Sequence, residues 1–188
     1  MATDQTKNVL LKTLVLFMLC QVTIQSSGLT KLDLSKRYMT RLTGGMFIQY
    51  SNITILDLSH NQITEIENGA FSGLQLLKEL NLSSNEIQVL PGGIFNDLEL
   101  LEKLDLSFND IRVLPNGIFS NLKLLEELDL SFNAIKVRGL PSGIFGNLKS
   151  LRVLGLLGND LVVLPSRIFS DLKSLTMLQL QLNHLLFL

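Results

Sequence analysis

Cysteine is nearly missing from these 188 residues: the single one, Cys20, sits in an apolar stretch near the N-terminus. One thiol excludes an intrachain disulfide and any zinc or iron–sulfur site built on several cysteines. Histidine is as scarce, and His60 and His184 have no second ligand or nucleophile partner at a telling spacing. Charge of one sign is also missing. Sixteen basic against 17 acidic residues leave a net of −1, without the basic excess that a nucleic-acid surface needs. Hydrophobic residues make up 46% of the chain, yet past residue 28 no apolar run approaches the roughly 18 residues that cross a bilayer. Polar residues interrupt every leucine cluster, so the leucines serve an internal core.

The first 27 residues have their own composition. Lys7 and Lys12 flank or enter an apolar segment, Leu14 to Cys20 is uninterrupted, and the polar segment Gln21 to Ser27 follows. This three-part layout reads as a signal peptide over 1–27, cut near residues 25–27, which predicts secretion and no membrane span afterwards. An amphipathic helix capping the stack, or an uncleaved anchor, are the alternatives. Cleavage removes Cys20 together with Asp4, Lys7 and Lys12, leaving 14 basic and 16 acidic residues, a net of −2.

What is abundant is periodic. Leu29, Ile53, Leu77, Leu101, Leu125, Leu151 and Leu175 are spaced by 24 residues, with one step of 26. Asn61, Asn85, Asn109, Asn133, Asn159 and Asn183 keep the same step, as do Phe47, Phe71, Phe95, Phe119, Phe145 and Phe169. Three residue types locked to one period predict a stack of equivalent coils. In the unit starting at Leu101, Leu104 and Leu106 alternate with polar residues, which predicts a short strand with one face inward. Every coil runs the same way, so seven such strands form a parallel sheet, and the rest of each repeat is the return path. Asn109 leaves the strand with an amide able to donate to and accept from neighbouring backbone, which predicts an asparagine ladder. The phenylalanines are assigned to the far side of each coil, one stacked on the next. Pro91, Pro115, Pro141 and Pro165 stiffen the return, and Asn68-Gly69 and Asn116-Gly117 read as turns.

The string L-x-x-L-x-L-x-x-N-x-I-x-x-L-P-x-G-I-F-x-x-L resembles the 24-residue leucine-rich repeat of extracellular animal proteins. Toll-like receptor ectodomains, variable lymphocyte receptors and secreted serum inhibitors carry that form. The resemblance runs over residues 29–188. It implies an α/β solenoid: a right-handed horseshoe with the parallel sheet on its concave face and irregular or short helical segments on the convex side. The domain at 28–188 then holds about seven repeats, the last one truncated. Two departures stand out. The cysteine-bridged caps general among extracellular members are missing, and the chain stops in mid-repeat at Leu185-Leu186-Phe187-Leu188. An uncapped coil exposes apolar side chains worth about 1.5–3 kcal/mol each when buried, which predicts self-association or partner docking through that C-terminal end. At the other end Arg37 replaces the asparagine, with Lys31, Lys36 and Arg41 nearby, as suits an outer coil.

By resemblance, the function is a secreted, non-enzymatic recognition module that takes a protein or microbial-product ligand on the concave face, as an immune-type receptor ectodomain does. An adhesive or structural extracellular protein, a serum-type enzyme inhibitor and a fragment of a longer receptor are the other readings. No cofactor, metal or nucleic acid is expected. Gly143 to Ser150 faintly follows a phosphate loop, but Leu148 stands where the second glycine must be, and no Gly-x-Ser-x-Gly occurs.

Strand residues that face outward are the candidate contacts. The middle outward column reads Asp33, Asp57, Asn81, Asp105, Asp129, Gly155 and Gln179, and its neighbour Lys31, Ile55, Glu79, Lys103, Glu127, Val153 and Met177. At about 4.8 Å between strands the first column is an acidic stripe, which Lys103 is expected to neutralise in part through Asp105 or Asp129. It serves either solubility or a basic protein ligand. Phe108 and Phe132 precede the ladder asparagines in consecutive repeats, either as an aromatic anchor or as a mutually stacked pair. Repeat six carries Val153, Gly155, Leu157 and Gly158 in place of polar residues, and the two extra residues fall between Asn133 and Leu140. The expected ligand-binding set is Asp105, Phe108, Glu127, Asp129, Phe132, Val153 and Leu157, over repeats four to six. The sequons at Asn52 and Asn81 are the expected glycosylation sites, and a sugar on Asn81 would close its half of the sheet.

Overall fold

The computed structural model describes residues 30–136 and 139–186. The expected signal peptide at 1–27, with Cys20, lies outside the described residues, as do two residues of the insertion, 137–138, and the last two of the chain.

Among the described residues nine short strands occur in chain order: β1 (Lys31–Asp33), β2 (Arg41–Leu42), β3 (Ile55–Asp57), β4 (Glu65–Ile66), β5 (Glu79–Asn81), β6 (Lys103–Asp105), β7 (Glu127–Asp129), β8 (Val153–Gly155) and β9 (Met177–Gln179). Seven of them, β1-β3-β5-β6-β7-β8-β9, pair in parallel and in sequence order, one per coil. The register is unshifted throughout: Leu32, Leu56, Leu80, Leu104, Leu128, Leu154 and Leu178 stand side by side. Each strand has only three residues because only its central leucine must point inward. The residues on either side alternate outward, as strand geometry requires. β2 and β4 form a separate parallel pair on the return path, joined outside by Arg41, which bonds both Glu65 and Glu67.

Behind the sheet lies one continuous core. Leu104, Leu106, Ile111, Leu114, Ile118, Phe119 and Leu122 of one coil are all buried, and their equivalents repeat in the others. Phe47, Phe71, Phe95, Phe119, Phe145 and Phe169 stack in one file with centroids 6.2–6.4 Å apart. The asparagine ladder forms as its spacing predicts. Asn109 accepts the amide of Ile87 at 3.0 Å, and its Nδ2 donates to the carbonyls of Leu82 and Leu106 at 3.0 and 3.2 Å. Each rung thus bonds two coils and satisfies backbone groups that would otherwise be buried unpaired.

The α component of the expected α/β solenoid is largely missing. Among the described residues helix is confined to a 3₁₀ turn at Ile48–Tyr50 and 3₁₀ backbone at Gly139, and the other returns are chains of turns, so the fold is a parallel β-solenoid. Gly69, Gly93, Gly117 and Gly143 adopt φ of +70 to +79°, a left-handed conformation that interrupts any helix inside each return. The prolines at 91, 115, 141 and 165 add a fixed φ and a missing donor two residues earlier in the later coils.

The two-residue insertion is taken up in the return after β7. Ile135 meets Asn159 across 24 positions, where equivalent bonds span 22. Gly139 donates to Lys136 O, and its own carbonyl accepts from Leu114 N. A Cβ at Gly139 would collide with the carbonyl oxygen of Arg112, so the chain at this residue approaches the preceding coil as closely as it does only because the residue is glycine.

Candidate binding face

The outward columns of the sheet form as the period predicts. Asp105 stands beside Asp129 and Asn81, and Asp129 stands beside Gly155. Each side chain of the acidic column also ties down the turn that follows it. Asp33, Asp57, Asn81, Asp105 and Asp129 all accept through Oδ1 from the amide two residues on, at 2.8–3.0 Å. For Asp33, the backbone and side-chain hydrogen bonds from Ser35 hold the carboxyl below its usual range. These side chains have a structural task that accounts for their recurrence.

The expectation that Lys103 neutralises Asp105 or Asp129 is corrected. Lys103 Nζ pairs with Glu127 at 3.0 Å, its direct neighbour in register, and that hydrogen bond and charge raise the lysine above its usual range. A cross-strand partner on the same column is closer than a residue two positions along, so Glu127 takes the cation. Lys103 forms no salt bridge with Asp105 or Asp129. Lys78 is paired in the same manner with Glu102 at 2.8 Å and is likewise raised.

Phe108 and Phe132 are both exposed, at 54% and 37%, and stacked on each other with centroids 4.5 Å apart and planes 17° from parallel. The mutually stacked pair forms, and both rings stay exposed. Its backbone setting escaped the sequence reading. Lys36, His60, Ser84, Phe108, Phe132 and Leu182, which occupy one position of successive coils, all have φ of +53 to +55°. That region is unusual for bulky side chains, and it turns the residue away from the core at the end of the strand. The single signal for it in the sequence is Gly158, at φ +64°, in the same column. Phe132 also rests on Gly158, whose missing Cβ would come within 2.7 Å of the ring.

Of the other expected contacts, Glu127 is exposed, whereas Asp105, Asp129, Val153 and Leu157 are half-buried. Val153 lies in register between Glu127 and Met177. Gly155 is buried, and Asp129 leans over it: a Cβ there would collide with Asp129 Oδ1 and stand 2.8 Å from Ser131 Oγ, so the column closes over this position only because it is glycine. Nothing in the spacing of the repeat draws attention to Ser131, because serine recurs at that position in five coils.

Asn52 lies exposed in the turn after the 3₁₀ segment, and Asn81 is half-buried within β5, where its Oδ1 also accepts from Ser83 Oγ at 2.7 Å. Of the expected C-terminal patch, Leu185 packs partly against the core and Leu186 is exposed, and the final two residues lie outside the described ones. Among the described residues no group of three or more His, Cys, Asp and Glu is placed to hold a metal ion, and no helix is long and apolar enough to cross a membrane.

The family model described as leucine rich repeat matches residues 27–87, 75–135 and 136–185. No curated protein matches the chain.

Proposed function

The chain belongs to the leucine-rich repeat family, and from that premise we propose that it is a secreted, non-enzymatic recognition module that binds a protein or microbial ligand on the outward face of its sheet, in the manner of an innate-immune receptor ectodomain. Repeats of this family act as protein-interaction modules, which sets the class of function. The signal-like segment at 1–27 and the 24-residue repeat length support an extracellular place for it. The leading observation is the stacked pair of Phe108 and Phe132, exposed together at the end of adjacent strands. Two aromatic rings held in one geometry by a left-handed backbone lose little freedom on binding, and such anchors dominate the energetics of protein interfaces. Asp105, Glu127 and Asp129 lie on the same coils and supply polar contacts around it, with Val153 and Leu157 continuing the face onto repeat six.

Capture from extracellular fluid on the immobilised chain tests this reading when wild type is compared with Phe108→Ala/Phe132→Ala. The expected result is a ligand retained by the wild type and reduced at least about tenfold on the double variant, the loss of one or two hot-spot side chains. Equal capture by both proteins sinks the aromatic anchor.

A further inference from the structure

We propose that the position over Ser84 is a subsite for an aromatic ring, so that the ligand presents a side chain that continues the stack of Phe132 and Phe108. The subsite rests on the recognition reading above and specifies the chemistry of what is recognised. One column of the coils sets its geometry. His60, Ser84, Phe108 and Phe132 share φ of +53 to +55°. The first three donate their amides to the carbonyls of Ser83, Ser107 and Ser131 in the next coil, at 2.9–3.0 Å. The column therefore repeats one backbone geometry at steps of about 4.8 Å, the spacing of paired strands.

Rings occupy the steps at 108 and 132, with centroids 4.5 Å apart and planes 17° from parallel. That separation is close to one strand spacing, so the stack follows the coils rung for rung. Its two ends differ. Phe132 is covered on one side by Phe108 and rests on Gly158 at the other. Phe108 is covered by Phe132 alone: among the described residues no other ring stacks on it, and it is 54% exposed against 37% for Phe132. On that open side the next residue of the column is Ser84, half-buried and too short to cover a ring face. The exposed His60 stands one step further on. One rung beside Phe108 is thus left without a ring.

An aromatic ring fits this rung better than an aliphatic group. Placed over Ser84, it meets Phe108 as Phe108 already meets Phe132. Offset-stacked rings attract each other beyond what burial alone gives, whereas an aliphatic group of equal area gains the burial only. Phe108 is held by its neighbour and by its left-handed backbone, so its face is offered in one orientation and loses little freedom on binding. The backbone of His60 lies two steps from that of Phe108, so the rung between them takes a single ring.

Nuclear magnetic resonance titration of the full 188-residue chain with N-acetyl-phenylalanine methylamide tests the subsite. The cyclohexylalanine analogue, of like size and without a π-face, serves as the matched probe. Saturable shifts are expected at the Ser84 amide and the Phe108 ring protons with the phenylalanine probe. The cyclohexylalanine probe is expected to bind at least about threefold more weakly, the stacking preference beyond burial. Ser84→Phe fills the rung with the residue that 108 and 132 already carry at the same φ, so the backbone accepts it. Phe108→Ala removes the face on which the probe stacks. Both variants are expected to abolish the saturable shifts, and the two-probe comparison on the wild type decides the matter even where a variant misfolds. Equal binding of the two probes, undiminished binding by Ser84→Phe, or no saturable shift in the wild type each overturns the subsite. If the subsite fails while capture still depends on Phe108 and Phe132, the recognition reading stands alone. If capture is also unchanged in the double phenylalanine variant, both fall.

Discussion

Asn109 shows how one side chain decides the geometry of two coils. Its amide serves the Ile87 N–H of the coil before it and the carbonyls of Leu82 and Leu106, all buried. Alanine there leaves those backbone groups without partners or with water they cannot reach, at about 1–3 kcal/mol for each group left unsatisfied. Asn109→Ala is therefore expected to destabilise the chain by about 3 kcal/mol, read as a lower midpoint in urea denaturation. A change below about 0.5 kcal/mol would show that the ladder is ornamental. Serine, aspartate or glycine cannot replace this set of bonds, because only an amide donates twice and accepts from the same short side chain. That exclusivity is why the ladder was legible from its recurrence. The conformation of the residue just before it was not. Lysine, histidine, serine, phenylalanine and leucine share φ near +54°, and no common chemistry among them reports it.

The strands and returns of this protein obey different constraints. A strand needs one inward leucine, and its register follows from the fixed length of the repeat, so seven parallel strands could be read from spacing alone. The returns have no such pattern. Apolar residues in them suit a turn or a short helix equally, and left-handed glycines at 69, 93, 117 and 143 decide for turns. The insertion after β7 makes the point locally. Its length is visible in the sequence, but the close approach of Gly139 to Arg112 O on the preceding coil is not. Gly139→Ala is expected to cost about 1–3 kcal/mol, the range for overpacking a tight contact. The urea midpoint of that variant checks it, with Gly92→Ala as a comparison, since no atom lies within 4 Å of a Cβ at 92 and its backbone is not left-handed. Equal loss from both substitutions would mean that the contact with Arg112 does not explain the effect.

Taken as a stack, each coil covers its neighbours, so stability and accessible surface are both shared along the axis. Modification of one coil therefore changes what the others can meet. Sugars on Asn52 and Asn81 would shield the coils of β3 and β5 and leave those of β6 to β8 as the open part of the sheet. In a glycosylating secretory host the chain is expected in the medium, and Asn52→Gln and Asn81→Gln are each expected to remove one step of electrophoretic mobility. An intracellular, unmodified product would overturn the extracellular reading. The period alone determined the number of coils, the direction and register of the strands, the phenylalanine file and the asparagine ladder, because each depends on residues that must coincide once per turn. Tertiary structure decided the rest: that Lys103 faces Glu127, that Phe108 and Phe132 remain exposed while stacked, and that Ser131 is left unpaired beside Gly155. Those outcomes depend on which side chain is nearest in space across a strand boundary, a distance that a repeat pattern does not contain.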